Sequence, residues 1–324
     1  MSPGSDSIEV LVTSVIPQAE RVTAWELRRI DGAELPAFTA GAHIELHLPN
    51  GLERSYSICN AQDQRDRYVI AVSKDPQSRG GSRFIHENLK VGDRLRISSP
   101  LNHFQLVEDA LHVVFIAGGI GITPIWCMIQ RLEALGRSWE LHYSARVRQM
   151  CAFKEALEVL ERKCPGRVQF NFDQEPGGKI TDVKALIAGI RSDAHLYCCG
   201  PTPMLKAFES AARELARAQS QLHVEYFTPK EESAVEGGFT VVLKRRGTSF
   251  FIPPGKTILE TLLDQNIDVP YSCMEGVCGT CETTVLEGVP DHRDSVLSAE
   301  EHAANKTMMI CCSGCKSARL ILDL

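Results

Sequence analysis

No stretch of this chain approaches the roughly 18 consecutive apolar residues that a membrane-spanning helix needs, so none is expected. The opening MSPGSDSIEV lacks the basic-then-apolar pattern of a secretory signal, and a cytoplasmic location is the expectation. Runs of Lys and Arg are missing, and the net charge is −6, which makes nucleic acid and anionic membrane poor partners. Repeats and low-complexity tracts are absent as well. At 324 residues, and with domains of ~100–200 residues, the chain should form two or three domains.

Cysteine, by contrast, is abundant. In a reducing compartment Cys59, Cys127, Cys151, Cys164, Cys198, Cys199, Cys312 and Cys315 should mostly be free thiols. Cys273, Cys278, Cys281 and Cys311 stand apart, because they are spaced C-x4-C-x2-C with one distant partner. That is the ligand spacing of a plant-type 2Fe–2S cluster, a one-electron centre. Gly276 and Gly279 fall where the backbone must bend around an inorganic core. Zinc, which favours paired C-x2-C units, and buried structural thiols are the alternatives.

Three segments follow one another. EVLVTSVI, AHIELHL, RYVIAVSK and DRLRISS are short alternating strands between turns, the pattern of a small antiparallel barrel. From LHVVFIA onward, apolar strands (WELHYSA, VQFNFD, HLYCC) alternate with helical stretches, which indicates a doubly wound parallel sheet. Thr123 is expected as the N-cap of the first of these helices, with Pro124 at its first helical position and Gly136 as its stop. TPKEESAVEGG reads as a flexible linker. Beyond it lie two strands around an RRGT turn, a capping box at Thr257 and Glu260, and the cysteine loop. The expected boundaries are 1–106 for the barrel, 107–227 for the α/β domain, 228–238 for the linker and 239–324 for the domain that carries the cysteine loop.

Two glycine-rich turns, AGGIGITP and CCGPTPML, each join a strand to a helix start. Backbone N–H groups there can approach a pyrophosphate, and two such turns at the carboxyl ends of one parallel sheet define a ligand crevice. RSYS offers a guanidinium, two hydroxyls and a ring, and Gly80–Gly81–Ser82 precedes a helical stretch that could seat a phosphate. Taken singly, each of these last two also reads as an ordinary strand end or loop. The histidines His86, His103, His142, His195 and His223 read as packing or surface residues.

The ordered set RSYS, SRGGS, PLNHF, AGGIGITP, CCGPTPML, YSCMEGVCGTC and MMICCSGCKSARLILDL resembles the phthalate dioxygenase reductase family, which includes vanillate demethylase reductase-like proteins. The resemblance covers essentially the whole chain and implies, in order, an FMN-binding β-barrel domain (1–106), an NAD-binding α/β doubly wound domain (107–227) and an α+β plant-type ferredoxin (β-grasp) domain (239–324). It implies FMN bound by Arg54, Ser55, Tyr56 and Ser57, by Ala71, Val72 and Ser73, and by Gly80, Gly81 and Ser82. It implies nicotinamide-cofactor contacts from Gly118, Gly119, Ile120, Gly121, Ile122, Thr123 and Pro124 and from Cys199, Gly200 and Pro201. Phe227 falls where the family places an aromatic near the flavin. The family commonly lacks further cysteines after the one matching Cys311, whereas this chain has Cys312 and Cys315. If 310–312 is a strand, Cys311 and Cys312 point to opposite faces and only Cys311 serves as ligand.

The expected activity is therefore NADH-dependent electron transfer through FMN and a 2Fe–2S cluster to a Rieske-type oxygenase, by a monomer, with no side-chain acid or base required. Asp173, at the end of VQFNFD, would accept from ribose hydroxyls and favour NADH over NADPH, with Arg146 and Arg148 as the opposing consideration. A stand-alone NADH oxidoreductase and an electron carrier with a vestigial nucleotide site are the rival readings. The identity of the aromatic substrate lies with the oxygenase.

Overall fold

The computed structural model describes residues 7–76 and 80–324. Ser78 and Arg79, the first residues of SRGGS, lie outside the described residues, as does the MSPGSD start. The chain divides into two compact units, one running through Glu225 and the other from Tyr226 to Leu324.

The first unit begins with six strands, β1 (Ile8–Ala19), β2 (Val22–Arg29), β3 (His43–His47), β4 (Glu53–Ser57), β5 (Tyr68–Ser73) and β6 (Arg94–Ile97), with helix α1 (Gly81–Asn88) between the last two. They pair antiparallel in the order β4-β3-β6-β1-β2-β5. The two edges meet through an Ile58–Ile70 bridge and the Cys59 N–H, which donates to Val69 O at 2.7 Å. Closing the sheet removes its open edges. Val10, Val12, Trp25, Leu27, Ile44 and Leu46 fill the interior.

Five parallel strands follow: β7 (Val113–Gly118), β8 (Trp139–Ala145), β9 (Val168–Phe172), β10 (His195–Cys199) and β11 (Leu222–Glu225). The helices among them are α2 (Ile122–Leu135), α3 (Lys154–Lys163), α4 (Val183–Gly189) and α5 (Thr202–Glu214). The order β11-β10-β7-β8-β9 reverses between β7 and β10, so this is the topological switch point of the sheet. β7 is buried along its whole length, as a central parallel strand flanked by helices must be. The barrel and this sheet share one apolar core. Polar contacts add to it: the Cys127 thiol of α2 donates to Asn60 O at 3.1 Å, and Gln130 Nε2 donates to Cys59 O at 2.7 Å.

One capping expectation fails. A 3-10 turn, Gly119–Gly121, leads into α2, whose N-cap is Gly121. Thr123 and Pro124 are the second and third helical residues, not the cap and the first, and the Thr123 hydroxyl donates back to Ile120 O at 3.0 Å instead of capping. Gly136 ends α2 in the left-handed conformation (φ 64°), as expected.

The second unit is a mixed sheet in the order β13-β12-β18-β14-β16, from β12 (Phe239–Leu243), β13 (Thr248–Ile252), β14 (Glu282–Glu287), β16 (Thr307–Met309) and β18 (Arg319–Leu322). A small ribbon pairs β15 (Pro290–Asp291) with β17 (Gly314–Cys315). Helix α6 (Ile258–Asp264) carries the Thr257–Glu260 capping box and buries Ile258, Leu259 and Leu262. Helix α7 (Ala299–Ala304) is capped the same way by Ser298 and Glu301.

Two expectations are corrected here. β16 ends at Met309, so Cys311 and Cys312 lie in a turn, and strand alternation does not separate them. The end of the segment read as a free linker is tied down: Ala234 is buried with its N–H bonded to Cys312 O at 2.7 Å, and Val235 O accepts from Gly255 N–H. Phe227 belongs to this second unit and is 38% exposed.

Candidate functional site

At the switch point the turns after β7 and β10 interlock. A Cβ on Gly118 would lie 2.5 Å from Pro201 Cδ, and one on Gly121 would lie 2.2 Å from Cys199 O. Only glycine allows the two turns to approach this closely. Tyr143 OH holds the first turn by donating to Gly119 O at 3.0 Å, while accepting from Ala152 N–H at 3.1 Å. The N-termini of α2 and α5 both open at this point, the second with Pro201 as its cap. Their helix dipoles suit a bound phosphate. Gly118 to Pro124 and Cys199 to Pro201 are thus brought together.

Asp173 follows β9 on the same edge of the sheet, and its Oδ1 is buried without a partner. A buried carboxylate oxygen without a donor is costly, and ribose hydroxyls would supply one. Arg148 lies on the same segment, its guanidinium 4.8 Å over the Phe172 ring and 3.5 Å from Glu175, residues on either side of Asp173. Arg146 is exposed.

In the barrel, Arg54, Ser55, Tyr56 and Ser57 form β4, paired in register with Leu46, Glu45, Ile44 and His43. A Cβ on Gly81 would meet Arg54 Cγ at 2.8 Å and Nε at 2.9 Å, so the guanidinium stem lies across the start of α1. The left-handed N-cap Gly80 (φ 96°) makes that entry, and Ser82 Oγ accepts from Asp75 N–H. A cation beside a helix N-terminus is the arrangement that binds a phosphate monoester. Ser55 Oγ is buried without a partner. Burial raises the pKa of the Tyr56 phenol, so it stays a neutral donor. Ala71, Val72 and Ser73 end β5, which touches the Gly119–Gly121 turn, so the two candidate sites adjoin within this unit. His86 fixes α1 to β5 through its Nε2 and Val72 O at 2.9 Å, the packing role expected of it.

In the second unit the four spaced cysteines converge. Cys273 meets Cys278 and Cys311, and Cys311 also meets Cys281 and Cys312. The Cys273 thiol is pushed down by the thiols that donate to it, helped by N–H groups of Val277 and Cys278; Glu275 N–H lies 3.3 Å from its sulfur. Cys278 and Cys311 move the opposite way, as the donors of those bonds and through burial. Gly276 (φ 68°) and Gly279 (φ 82°) turn the loop, and a Cβ on Gly276 would lie 2.4 Å from Cys312 Sγ. Four clustered thiols with backbone N–H donors aimed at sulfur fit a 2Fe–2S cluster in donor chemistry and in hydrogen bonding. Cys312 packs behind the loop and Cys315 bonds Ser317 O.

One residue that the sequence did not single out lies beside the Cys199 turn. Glu225 pairs with Cys199 across β11 and β10, with its Oε2 3.8 Å from the Cys199 sulfur. Burial raises its carboxyl to about 8. A lone acid in the strand HVEYF was the only hint.

The fold and these sites define a nucleotide-dependent iron–sulfur flavoprotein reductase. Residues 115–210 match the oxidoreductase NAD-binding domain family, and residues 241–316 match the 2Fe–2S iron–sulfur cluster binding domain family. The chain is 50% identical over 320 residues to tetrachlorobenzoquinone reductase of Sphingobium chlorophenolicum, covering 98% of both chains. It is 49% identical over 317 residues to phenoxybenzoate dioxygenase subunit beta of Ectopseudomonas oleovorans, covering 98% of this chain and 97% of that one. Among solved structures, phthalate dioxygenase reductase, described as transferring electrons from pyridine nucleotides to [2Fe–2S], aligns at 37% identity over 98% of both chains, with a TM-score of 0.71. An intact type IV self-sufficient cytochrome P450 monooxygenase aligns at 39% identity with a TM-score of 0.88; this chain spans 98% of itself but only 41% of that longer one. The chain belongs to the phthalate dioxygenase reductase family. It is an NADH-dependent oxidoreductase with FMN and a 2Fe–2S cluster, and its partner is an oxygenase. Among the described residues no helix is long and apolar enough to cross a membrane.

Proposed function

We propose that this protein is the reductase of a Rieske-type aromatic-ring oxygenase or demethylase, acting as a cytoplasmic monomer, with each cofactor held by its own part of the chain. Bound NADH, FMN and cluster supply hydride acceptance and its division into single electrons, chemistry no side chain offers. Arg54 and the α1 N-terminus at Gly80, Gly81 and Ser82 bind the flavin phosphate. Ser55, Tyr56, Ser57, Ala71, Val72 and Ser73 line the ring system. Gly118 to Pro124 and Cys199 to Pro201 seat the dinucleotide, and Asp173 binds its ribose. Glu225 holds Cys199 in place at that crevice. Cys273, Cys278, Cys281 and Cys311 ligate the iron. The proposed domains keep the boundaries 1–106, 107–227 and 239–324, with 228–238 between the last two.

The observation that carries the reading is the convergence of four thiols on a compact unit that the chain shares, end to end, with phthalate dioxygenase reductase. A second reading, direct reduction of a small acceptor such as a quinone, is favoured by the 50% identity to tetrachlorobenzoquinone reductase. One variant separates them. Full-length Cys311→Ser should still reduce ferricyanide with NADH while failing to drive a Rieske oxygenase. Oxygenase turnover at the wild-type rate would refute the outlet, and a quinone kcat/KM far above any oxygenase rate would favour the second reading.

A further inference from the structure

His292, Asp294 and His302 lie in the second unit, just after β15 and in α7, and have no part in the site described above. Their ligand atoms all fall within 4.8 Å of one another. Asp294 is buried, and its two oxygens are differentiated. Oδ2 accepts from the N–H groups of Val296 (3.2 Å) and Leu297 (2.9 Å), so only Oδ1 faces the imidazoles. His302 Nε2 lies 3.1 Å from Oδ1, and His292 Nδ1 lies 3.8 Å from it. The two rings are stacked, 4.4 Å between centroids and 18° apart.

His292 is the informative member. Its side chain is 8% exposed, and Nδ1 is buried with no hydrogen-bond partner. Its other nitrogen, Nε2, is 3.1 Å from Asn305 Oδ1. The Asn305 amide orientation is set independently, because its Nδ2 donates to Ala303 O at 3.3 Å. Asn305 therefore presents an acceptor, and Nε2 carries the ring proton. Burial disfavours a doubly protonated ring, so Nδ1 carries a lone pair. A lone pair and a carboxylate oxygen then face each other in a dry site, which is repulsive unless a cation lies between them. Imidazole oriented by a carbonyl behind it is also the usual outer arrangement of a metal-bound histidine.

We propose that His292 Nδ1, Asp294 Oδ1 and His302 Nε2 form a mononuclear site for a divalent transition metal, best suited to Zn2+. With zinc–ligand bonds of about 2.0 Å, ligand atoms of a tetrahedron sit about 3.3 Å apart, against 3.1 and 3.8 Å from Asp294 Oδ1 to the two imidazoles and at most 4.8 Å for any pair, so the imidazoles would draw in on the metal. The fourth position is left for water. Soft thiolates are absent from the trio, so it does not compete for the iron of the cysteine loop. The site also reaches that loop through the backbone: Ser295 N–H donates to Gly276 O at 2.9 Å, so a metal on Asp294 would pin the segment that braces the glycine.

The test uses the full-length protein with flavin and iron loaded, cleared of loose metal by a chelator and then equilibrated with Zn2+. Bound zinc is counted after gel filtration, and its ligands are read by X-ray absorption at the zinc edge, separately from iron. One zinc per chain is expected, with nitrogen and oxygen ligands at about 2.0–2.1 Å including imidazole. His292→Gln and His302→Gln should each weaken zinc binding at least about tenfold with iron content unchanged, and Asn305→Ala by roughly tenfold through the lost outer bond. Should a histidine variant lose its iron, Asn305→Ala decides. No retained zinc, a sulfur shell at about 2.3 Å, or wild-type affinity in Asn305→Ala and whichever histidine variants keep their iron would overturn the site.

Discussion

The buried thiols of the first unit are all pushed one way, whereas those of the cysteine loop are pushed both ways. In the first, Cys59, Cys198 and Cys199 are pushed far up by burial, and Cys127 and Cys151 up to about 12. They behave as small apolar side chains packed in strands and helices. In the second, Cys273 is pushed down because neighbouring thiols and backbone N–H groups donate to it, while its donors Cys278 and Cys311 are pushed up. The first unit instead builds its sites from backbone: glycine turns, helix N-termini and a strand edge. Redox chemistry held by a polypeptide can thus be met in two ways, by side-chain ligands or by shaped main chain.

The largest effect should come from the main-chain site. Gly121→Val would drive a side chain into Cys199 O, where even a Cβ lies at 2.2 Å. Overpacking costs about 1–3 kcal/mol, so the KM for NADH should rise at least about tenfold in steady-state kinetics while iron content stays at the wild-type level. An unchanged KM would mean that the interlocked turns do not seat the dinucleotide.

Asp173→Asn tests the polar edge of the same site. Removing the charge should narrow the NADH-over-NADPH ratio of kcat/KM by roughly tenfold, worth about 1.4 kcal/mol. A higher kcat/KM for NADPH in the wild-type chain would show that Arg146 and Arg148 govern the choice.

Glu225 should leave a signature in stability. Its carboxyl is raised from 4.5 to about 8 by burial, so the folded chain keeps a proton that the unfolded chain has released. Stability is then fully present below pH 4.5 and falls as pH rises towards 8, by at most about 1.4 kcal/mol per pH unit. Glu225→Gln should flatten that slope in denaturant melts at several pH values. His223, lowered to about 4 by burial, acts in the opposite sense, removing stability as pH falls from 6.5 towards 4.

The smallest effect sharpens the contrast between thiols. Iodoacetamide on the native protein should modify exposed Cys164 and spare Cys59, Cys127, Cys198 and Cys199, as mass spectrometry would show. Rapid labelling of Cys198 would mean that the β10 core opens.

This contrast also explains what could be read from the residues alone. Thiols declare themselves by type and spacing, so the grouping of Cys273, Cys278 and Cys281 was legible at once. The strand patterns of both sheets and the Thr257 capping box were legible for the same reason, being local. The closeness of the two glycine turns was not, because the interlock of Gly121 with Cys199 depends on strand order. Glu225 was missed because its partner is 26 residues away. Thr123 was misread as a cap because Gly119–Gly121 winds an extra turn ahead of it, a tertiary constraint imposed by Tyr143. Cys311 and Cys312 were set on a strand that stops two residues earlier, since a ligand at Cys311 has to leave the sheet to meet Cys273.

The most direct test is an anaerobic reductive titration of the wild-type chain and of Cys278→Ser, followed by visible absorbance. The wild-type protein should take up one electron more per chain than the variant, with the iron–sulfur bands bleaching only in the wild type and the flavin bands bleaching in both. Equal electron uptake by the two proteins would contradict the assignment of the one-electron centre to the cysteine loop.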